Sequence, residues 1–262
     1  MDQETRSTFS EHLKNWSEDL SLAVALLTRI PVPQPAGMAP ERMARAQRAF
    51  PLVGAIVGVA TGLLDRCLLA IGIPEIAAAA VALGAAALLT GALHEDGLAD
   101  VGDGFGGGSD REKKLTIMRD SRIGTYGVLV LLISFVAKCS ALASLPIAEI
   151  IPVLIVAHAL ARAAIPVVTA NMPFARDDGL GRSAGRPEPA SAIIAAAIAV
   201  VIALLCLPFG IALLAVMVTA AAAAAMGMLA WRQIGGVTGD VFGAIEQTAE
   251  TAVLLILAAQ YA

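Results

Sequence analysis

With 262 residues, 58% of them hydrophobic and 15% charged, the chain is excluded from the ordinary soluble domains. A net charge of −4, without a basic patch interleaved with aromatics, excludes nucleic acid as a partner. Cys67, Cys139 and Cys206 stand alone in apolar blocks, with neither metal-ligand spacing nor a disulfide framework, and are expected as buried small hydrophobes.

The chain opens with a polar segment of mixed charge, unlike a signal peptide. Leu20–Leu27 is apolar but too short to span, and Arg29 and Pro31 close it, so it predicts an interfacial or re-entrant helix. A short basic helix over Glu41–Phe50 carries Arg42, Arg45 and Arg48. Residues 1–50 thus form an N-terminal arm and 51–262 a single transmembrane domain. Apolar blocks at about 51–73, 75–93, 124–146, 147–172, 190–207, 208–231 and 243–262 predict membrane helices. They are helix-length rather than alternating ten-residue strands, which makes the fold an all-α polytopic bundle of about six to seven spans. Ala220–Ala225 is a run of small residues suited to close helix packing.

The connections are of two kinds. Three are short and marked by Pro74, Pro146 and Pro208; the others, 94–123, 174–189 and 232–242, are longer, polar and glycine-rich. The kinds alternate, so every polar loop falls on the face that holds the N-terminal arm. That face carries Arg42, Arg45, Arg48, Arg111, Lys113, Lys114, Arg119, Arg122, Arg176, Arg182, Arg186 and Arg232, and the positive-inside rule makes it cytoplasmic.

The first polar connection, His94–Gly108 (HEDGLADVGDGFGGG), is acidic at the end of an apolar helix. Asp96, Asp100 and Asp103 fall at i, i+4 and i+7, one face of a helix, where like charges repel unless a hard divalent cation lies between them; Mg²⁺ is the expected ion. Gly104, Gly106, Gly107 and Gly108 allow close backbone approach and a nest of amides for anionic oxygens. In Leu115–Gly127 (LTIMRDSRIGTYG), Arg119 and Arg122 are candidate phosphate clamps, Asp120 a further metal ligand and Ser121 a substrate contact. Arg176, Asp178 and Arg182 in Ala175–Arg186 read equally as substrate contacts or as an ordinary charged loop. In Gly235–Glu250, Thr238 and Asp240 stand at a helix entrance, with Glu246 and Glu250 one turn apart and turned toward a polar interior. Inside the drawn helices, Asp65 and Arg66 pair or snorkel toward the outer end, Lys138 lies deeper, and His158 with Arg162 is either a packed polar pair or a phosphate or corrin contact.

HEDGLADVGDGFGGG, IMRDSRIGTYGVL and GGVTGDVFGAIEQTAE, with TRIPVP (Thr28–Pro33) and FPLVGAIVG (Phe50–Gly58) in the same order, resemble the cobalamin synthase family over nearly the whole chain. The 175–186 loop matches by character more than by letter. The resemblance implies a multi-pass enzyme of the bacterial inner membrane that joins adenosylcobinamide-GDP to α-ribazole, or to its 5′-phosphate, and releases GMP with Mg²⁺ bound. Asp96, Asp100 and Asp103 are then assigned to the metal, with Asp120 or Asp240 completing its shell, and the Gly104–Gly108 turn to the diphosphate. Arg119 and Arg122 take phosphate, Ser121, Arg176, Arg182 and Thr238 take substrate, and His94 or Asp103 serves as base. The bilayer, a homo-oligomer and other nucleotide-loop enzymes are the expected partners. Two rival enzymes share parts of the pattern. Asp100-Val-Gly-Asp103-Gly104 echoes a CDP-alcohol phosphotransferase, without its Ala-Arg pair or later aspartates; Asp96 and Asp100 echo a membrane prenyltransferase, without its second acidic element. A transporter would place its charges near the midplane with gates on both faces.

Overall fold

In the computed structural model the described residues are 3–33 and 40–261; residues 1–2 and 34–39 of the expected arm, and 262 of the last expected span, lie outside them. The arm comprises α1 (Gln3–Leu27), the short basic helix α2 (Pro40–Ala46) and a 3₁₀ turn at Gln47–Ala49. α1 is longer than the expected Leu20–Leu27 segment because the polar residues before it continue the same helix. Buried Asp19 anchors the arm. Arg45 Nε lies 3.0 Å and Arg48 Nε 2.7 Å from its carboxylate, and the Arg48 guanidinium stacks 4.0 Å over the Trp16 ring.

The chain continues through α3 (Phe50–Ala70), α4 (Glu75–Thr90), α5 (Leu93–Gly107), α6 (Arg111–Ile117), α7 (Thr125–Ala143), α8 (Ile150–Asn171), α9 (Leu180–Ser183), α10 (Pro189–Cys206), α11 (Phe209–Ile234) and α12 (Gly239–Tyr261). Six helices are long and apolar enough to span, or seven paths if α4 and α5, bent by 93°, count together. The expected 75–93 span is therefore cut short. α4 has 16 residues, about 24 Å at the helical rise and less than the hydrocarbon thickness. We read α5 as a separate helix turned out of the span. Among the described residues β pairing is limited to one isolated parallel bridge, Phe174–Val237.

α8 is the axis of the bundle. Gly54, Gly58 and Gly62 line the face of α3 against it, and a Cβ on Gly54 or Gly58 would strike the carbonyls of His158 and Leu154. Of the Ala220–Ala225 run on α11, Ala223 is buried and the others are exposed or half-buried. Asp65 and Arg66 part company as well, Asp65 buried and Arg66 exposed. Cys139 is buried, but Cys67 is exposed, contrary to expectation, because it falls on the outer side of α3.

The apolar core forms two layers. One, with Leu142, Ile150, Leu207 and Leu257, lies toward the proline-marked turns; the other, with Leu27, Phe50, Leu98, Ile234 and Val241, lies toward the polar loops. Between them on α7, α8 and α12 sit Lys138, His158, Arg162, Glu246 and Glu250, all nearly inaccessible.

Candidate active site at the crossing of two helices

α4 ends on Gly91 (φ 70) and Ala92 (φ 54), both left-handed. For alanine that conformation is strained, and it turns α5 across the start of α12. The two helices touch through glycine. A Cβ on Gly97 would lie 2.6 Å from the Asp240 carbonyl oxygen, and one on Gly243 2.8 Å from that of His94.

Asp240 reaches this crossing through backbone pairing of two loops. At the Phe174–Val237 bridge, Ala175 N donates to Val237 O (2.8 Å) and Val237 N to Pro173 O (2.9 Å), which sets Arg176 beside Asp240. Arg176 Nη2 donates to Asp240 Oδ2 at 3.2 Å, and Thr238 Oγ1 donates to the same oxygen at 3.1 Å. Thr238 Oγ1 also accepts from Val241 N at 3.3 Å, as an N-cap does. The expected Arg176, Thr238 and Asp240 thus form one cluster with the acids of α5.

Asp96 is exposed; Asp100 and Asp103 are half-buried on the same helix. Burial, followed by the charges of Asp96, Asp240 and Asp103, pushes the Asp100 carboxyl up to about 7, while Arg176 pulls it down. Asp103 is also engaged on its other side, where its oxygens accept from Gly124 N (2.6 Å) and Gly127 N (2.8 Å) and so hold the start of α7. Asp96, Asp100, Asp103 and Asp240 offer oxygen donors alone, the type a hard divalent cation takes, though among the described residues no three of them bring a ligand atom each within 4.8 Å of one another.

Other expected site residues lie elsewhere. Gly104, Gly106 and Gly107 belong to the last turn of α5, and Gly108 N bonds back to Gly104 O at 3.0 Å. The expected amide nest is not formed, because helix hydrogen bonds and packing use this backbone: a Cβ on Gly104 would meet Met118, and one on Gly106 the Tyr126 ring. Asp120 lies half-buried in the loop before α7. Its neighbour two residues on captures it, Arg122 Nη2 lying 2.7 Å away, and these hydrogen bonds lower the Asp120 carboxyl to about 2. The Arg122 side chain is 86% exposed. Ser121 is exposed in the same loop. Arg119 Nη2 pairs with Asp178 at 2.5 Å, bridging this loop to the one that carries Arg176. Arg182 lies 5.2 Å over the Phe174 ring instead of among the acids.

His94 is 2% exposed and lines a cavity shared with Arg176 and Asp240. Its Nδ1 lies 3.5 Å from Glu246 Oε2, at the edge of the buried charge layer. In that layer Arg162 Nη1 is 2.6 Å from Glu246 Oε1, His158 Nδ1 2.8 Å from Glu250 Oε2, and Lys138 Nζ 3.1 Å from Glu250 Oε1. Gln247 joins it, accepting from Lys138 Nζ at 2.7 Å and donating to Glu95 Oε1 at 3.2 Å. His158, Glu246 and Glu250 offer donor atoms within 4.8 Å of one another, as a metal site would. The guanidinium of Arg162 already fills that position, 3.0 Å from His158 Nδ1 and 3.8 Å from Glu250 Oε2. Of the two readings open for His158 and Arg162, the structure gives the packed polar pair. Sequence reasoning missed Glu95, Gln47 and Gln247, whose partners come from helices far away in the chain.

The family model described as cobalamin-5-phosphate synthase matches residues 19–258. An adenosylcobinamide-GDP ribazoletransferase of Bradyrhizobium diazoefficiens is 45% identical over 251 residues, covering 95% of this chain and 96% of the relative. Proteins of the same name from Azorhizobium caulinodans (42% over 247 residues; 90% of this chain, 94% of the relative) and Rhizobium etli (41% over 258 residues; 94% and 98%) are similar throughout. No solved structure matches. On the extent of these matches, the chain belongs to the cobalamin-5-phosphate synthase family.

Proposed function

We propose that the chain transfers the cobinamide-phosphate group of adenosylcobinamide-GDP to a ribose hydroxyl of α-ribazole or its 5′-phosphate, releasing GMP. This is the nucleotide-loop assembly step of cobalamin biosynthesis. The family match and the names of the relatives favour it over the CDP-alcohol phosphotransferase and prenyltransferase readings. The single observation that carries the site is the crossing that brings Asp96, Asp100 and Asp240 to Arg176, beside the cavity lined by His94.

The hydroxyl oxygen forms a bond to the cobinamide-side phosphorus, and the bond from that phosphorus to the GMP oxygen breaks, the electron pair leaving with GMP. Asp96, Asp100, Asp103 and Asp240 would hold Mg²⁺, which when bound supplies charge neutralisation of the diphosphate. Arg176, poised beside Asp240, presents its fork to phosphate oxygens, and Arg119 reaches the same side from the 118–124 loop. His94, held neutral by burial and the charge of Arg162, lines the cavity and takes the hydroxyl proton. The Asp103 oxygens, each bonded to a backbone amide, have only their remaining lone pairs, which go to the metal. Gly235, left-handed at φ 76, and Gly236, where a Cβ would strike Pro173, allow the close loop pairing that holds Arg176 in place.

The reaction faces the cytoplasm in this reading, since the arginine-rich loops and the acidic crossing share one face of an inner-membrane protein. The test is to incubate membranes containing the chain with adenosylcobinamide-GDP, α-ribazole and Mg²⁺ and to assay cobalamin and GMP. Both are expected in equal amounts. Phospholipid from a CDP-activated lipid, with no GMP from the corrinoid, would overturn the proposal.

A further inference from the structure

A cavity of about 210 Å³ opens beside the acidic crossing, walled by Leu27, Phe50, Ile165 and Phe242 from four different helices. Its polar lining is sparse: Gln47, His94, Arg176 and Asp240. Gln47 comes from the 3₁₀ turn of the arm and is 2% exposed. Its Nε2 donates to Ala184 O at 3.2 Å and Gly185 O at 3.0 Å. Both partners are acceptors, so the amide has only one orientation. That orientation leaves Oε1 buried without a donor, whereas Nδ1 of His94 faces Glu246 Oε2 at 3.5 Å. Unpaired buried polar atoms cost folding energy unless a ligand completes them. Apolar walls, one such side chain and charged groups at one edge make a binding pocket with a fixed direction.

We infer that this cavity is the acceptor subsite and takes a flat, apolar ring joined to a ribose. The ring lies between Phe50 and Phe242, Gln47 Oε1 accepts a hydrogen bond from a ribose hydroxyl, and the attacking hydroxyl faces His94 at the Asp240 edge. A cavity of this volume admits a small ring system and excludes a corrin macrocycle, so the bulky partner approaches from the Asp96 side. Gln47 is accordingly a specificity-determining residue. The inference rests on the transfer reaction proposed above and assigns one of its two substrates to a place.

The experiment measures binding separately for the two substrates, using the full chain in nanodiscs with α-ribazole or adenosylcobinamide-GDP as the titrant. Gln47→Met removes the acceptor, and Ala184→Leu, at a cavity-lining position, fills the space while leaving Gln47 in place. Each is expected to weaken α-ribazole binding at least tenfold and to leave adenosylcobinamide-GDP binding within twofold. If Gln47→Met fails to give a thermal transition, Ala184→Leu alone decides. Unchanged α-ribazole binding in Ala184→Leu, or equal loss of both substrates, overturns the inference. Product from the wild-type chain together with either of those outcomes removes the subsite and keeps the reaction; no product from the wild type removes the reaction itself.

Discussion

Arg176 Nη2 and Asp240 Oδ2 lie 3.2 Å apart, one held by the loop after α8 and the other by the first turn of α12. The Phe174–Val237 bridge fixes both backbones, so either side chain is removable without losing the other's position. Asp240→Asn and Asp100→Asn are each expected to reduce kcat by at least the ~10–100-fold typical of losing an outer partner of a metal. Membrane insertion and the thermal transition should be unchanged. Near-normal turnover in either variant removes that aspartate from the site. Arg176→Lys should raise KM for adenosylcobinamide-GDP, because an ammonium cannot reproduce the planar fork.

The acids of α5 compete with protons for a cation. Asp100 has its carboxyl raised from the ordinary 3.8 to about 7 by burial and by Asp96, Asp240 and Asp103. The sign follows: a raised carboxyl keeps its proton up to the higher value, so below about pH 7 a divalent ion must displace that proton. Mn²⁺ affinity, read by titration calorimetry on the reconstituted chain, is expected to rise between about pH 6 and 8 and to level off above. In the wild type, binding releases a proton in that window, whereas Asp100→Asn abolishes the release. A pH-independent affinity contradicts the cluster.

The helix of acids was legible in the sequence because i, i+4, i+7 spacing survives any packing, and α5 places Asp96, Asp100 and Asp103 as that spacing requires. The spans were legible from hydropathy, apart from α4, whose end depends on a left-handed alanine that no pattern announces. The glycines after Asp103 misled, since glycine serves close helix packing as readily as anion binding, and only the neighbours Met118 and Tyr126 decide between them. Asp120 misled for a local reason: Arg122 stands two residues away and takes it. Gln47 and the Glu246–Arg162 pair were out of reach because their partners are set by tertiary contacts across the chain.

Glycine at the crossing should be testable against glycine elsewhere. A Cβ at Gly97 meets the Asp240 backbone, whereas at Gly84 nothing lies within 4 Å. Gly97→Ala is expected to lower stability by about 1–3 kcal/mol through overpacking and to cost activity by displacing Asp240. Gly84→Ala should leave both unchanged or raise stability slightly, as alanine favours the helix. Thermal transitions in detergent and turnover in membranes read the two effects. Equal behaviour of the two variants rules out the tight crossing.

The deepest charges give the last prediction. Arg162 Nη1 and Glu246 Oε1 are 2.6 Å apart, with side chains 2% and 0% exposed. Removing one member of such a pair strands the other, at a cost of about 3–5 kcal/mol, whereas removing both together can be nearly neutral. Arg162→Met is therefore expected to lower the thermal transition sharply, since it also takes the cation away from His158 and Glu250. The double variant Arg162→Met, Glu246→Gln should recover a large part of the loss, giving a coupling energy well above the few tenths of a kcal/mol of independent sites. Turnover separates this structural role from a catalytic one. The double variant should regain activity in step with stability, because neither residue lines the cavity at the acidic crossing. Full stability with no turnover would instead place Glu246, through its contact with His94, in the reaction.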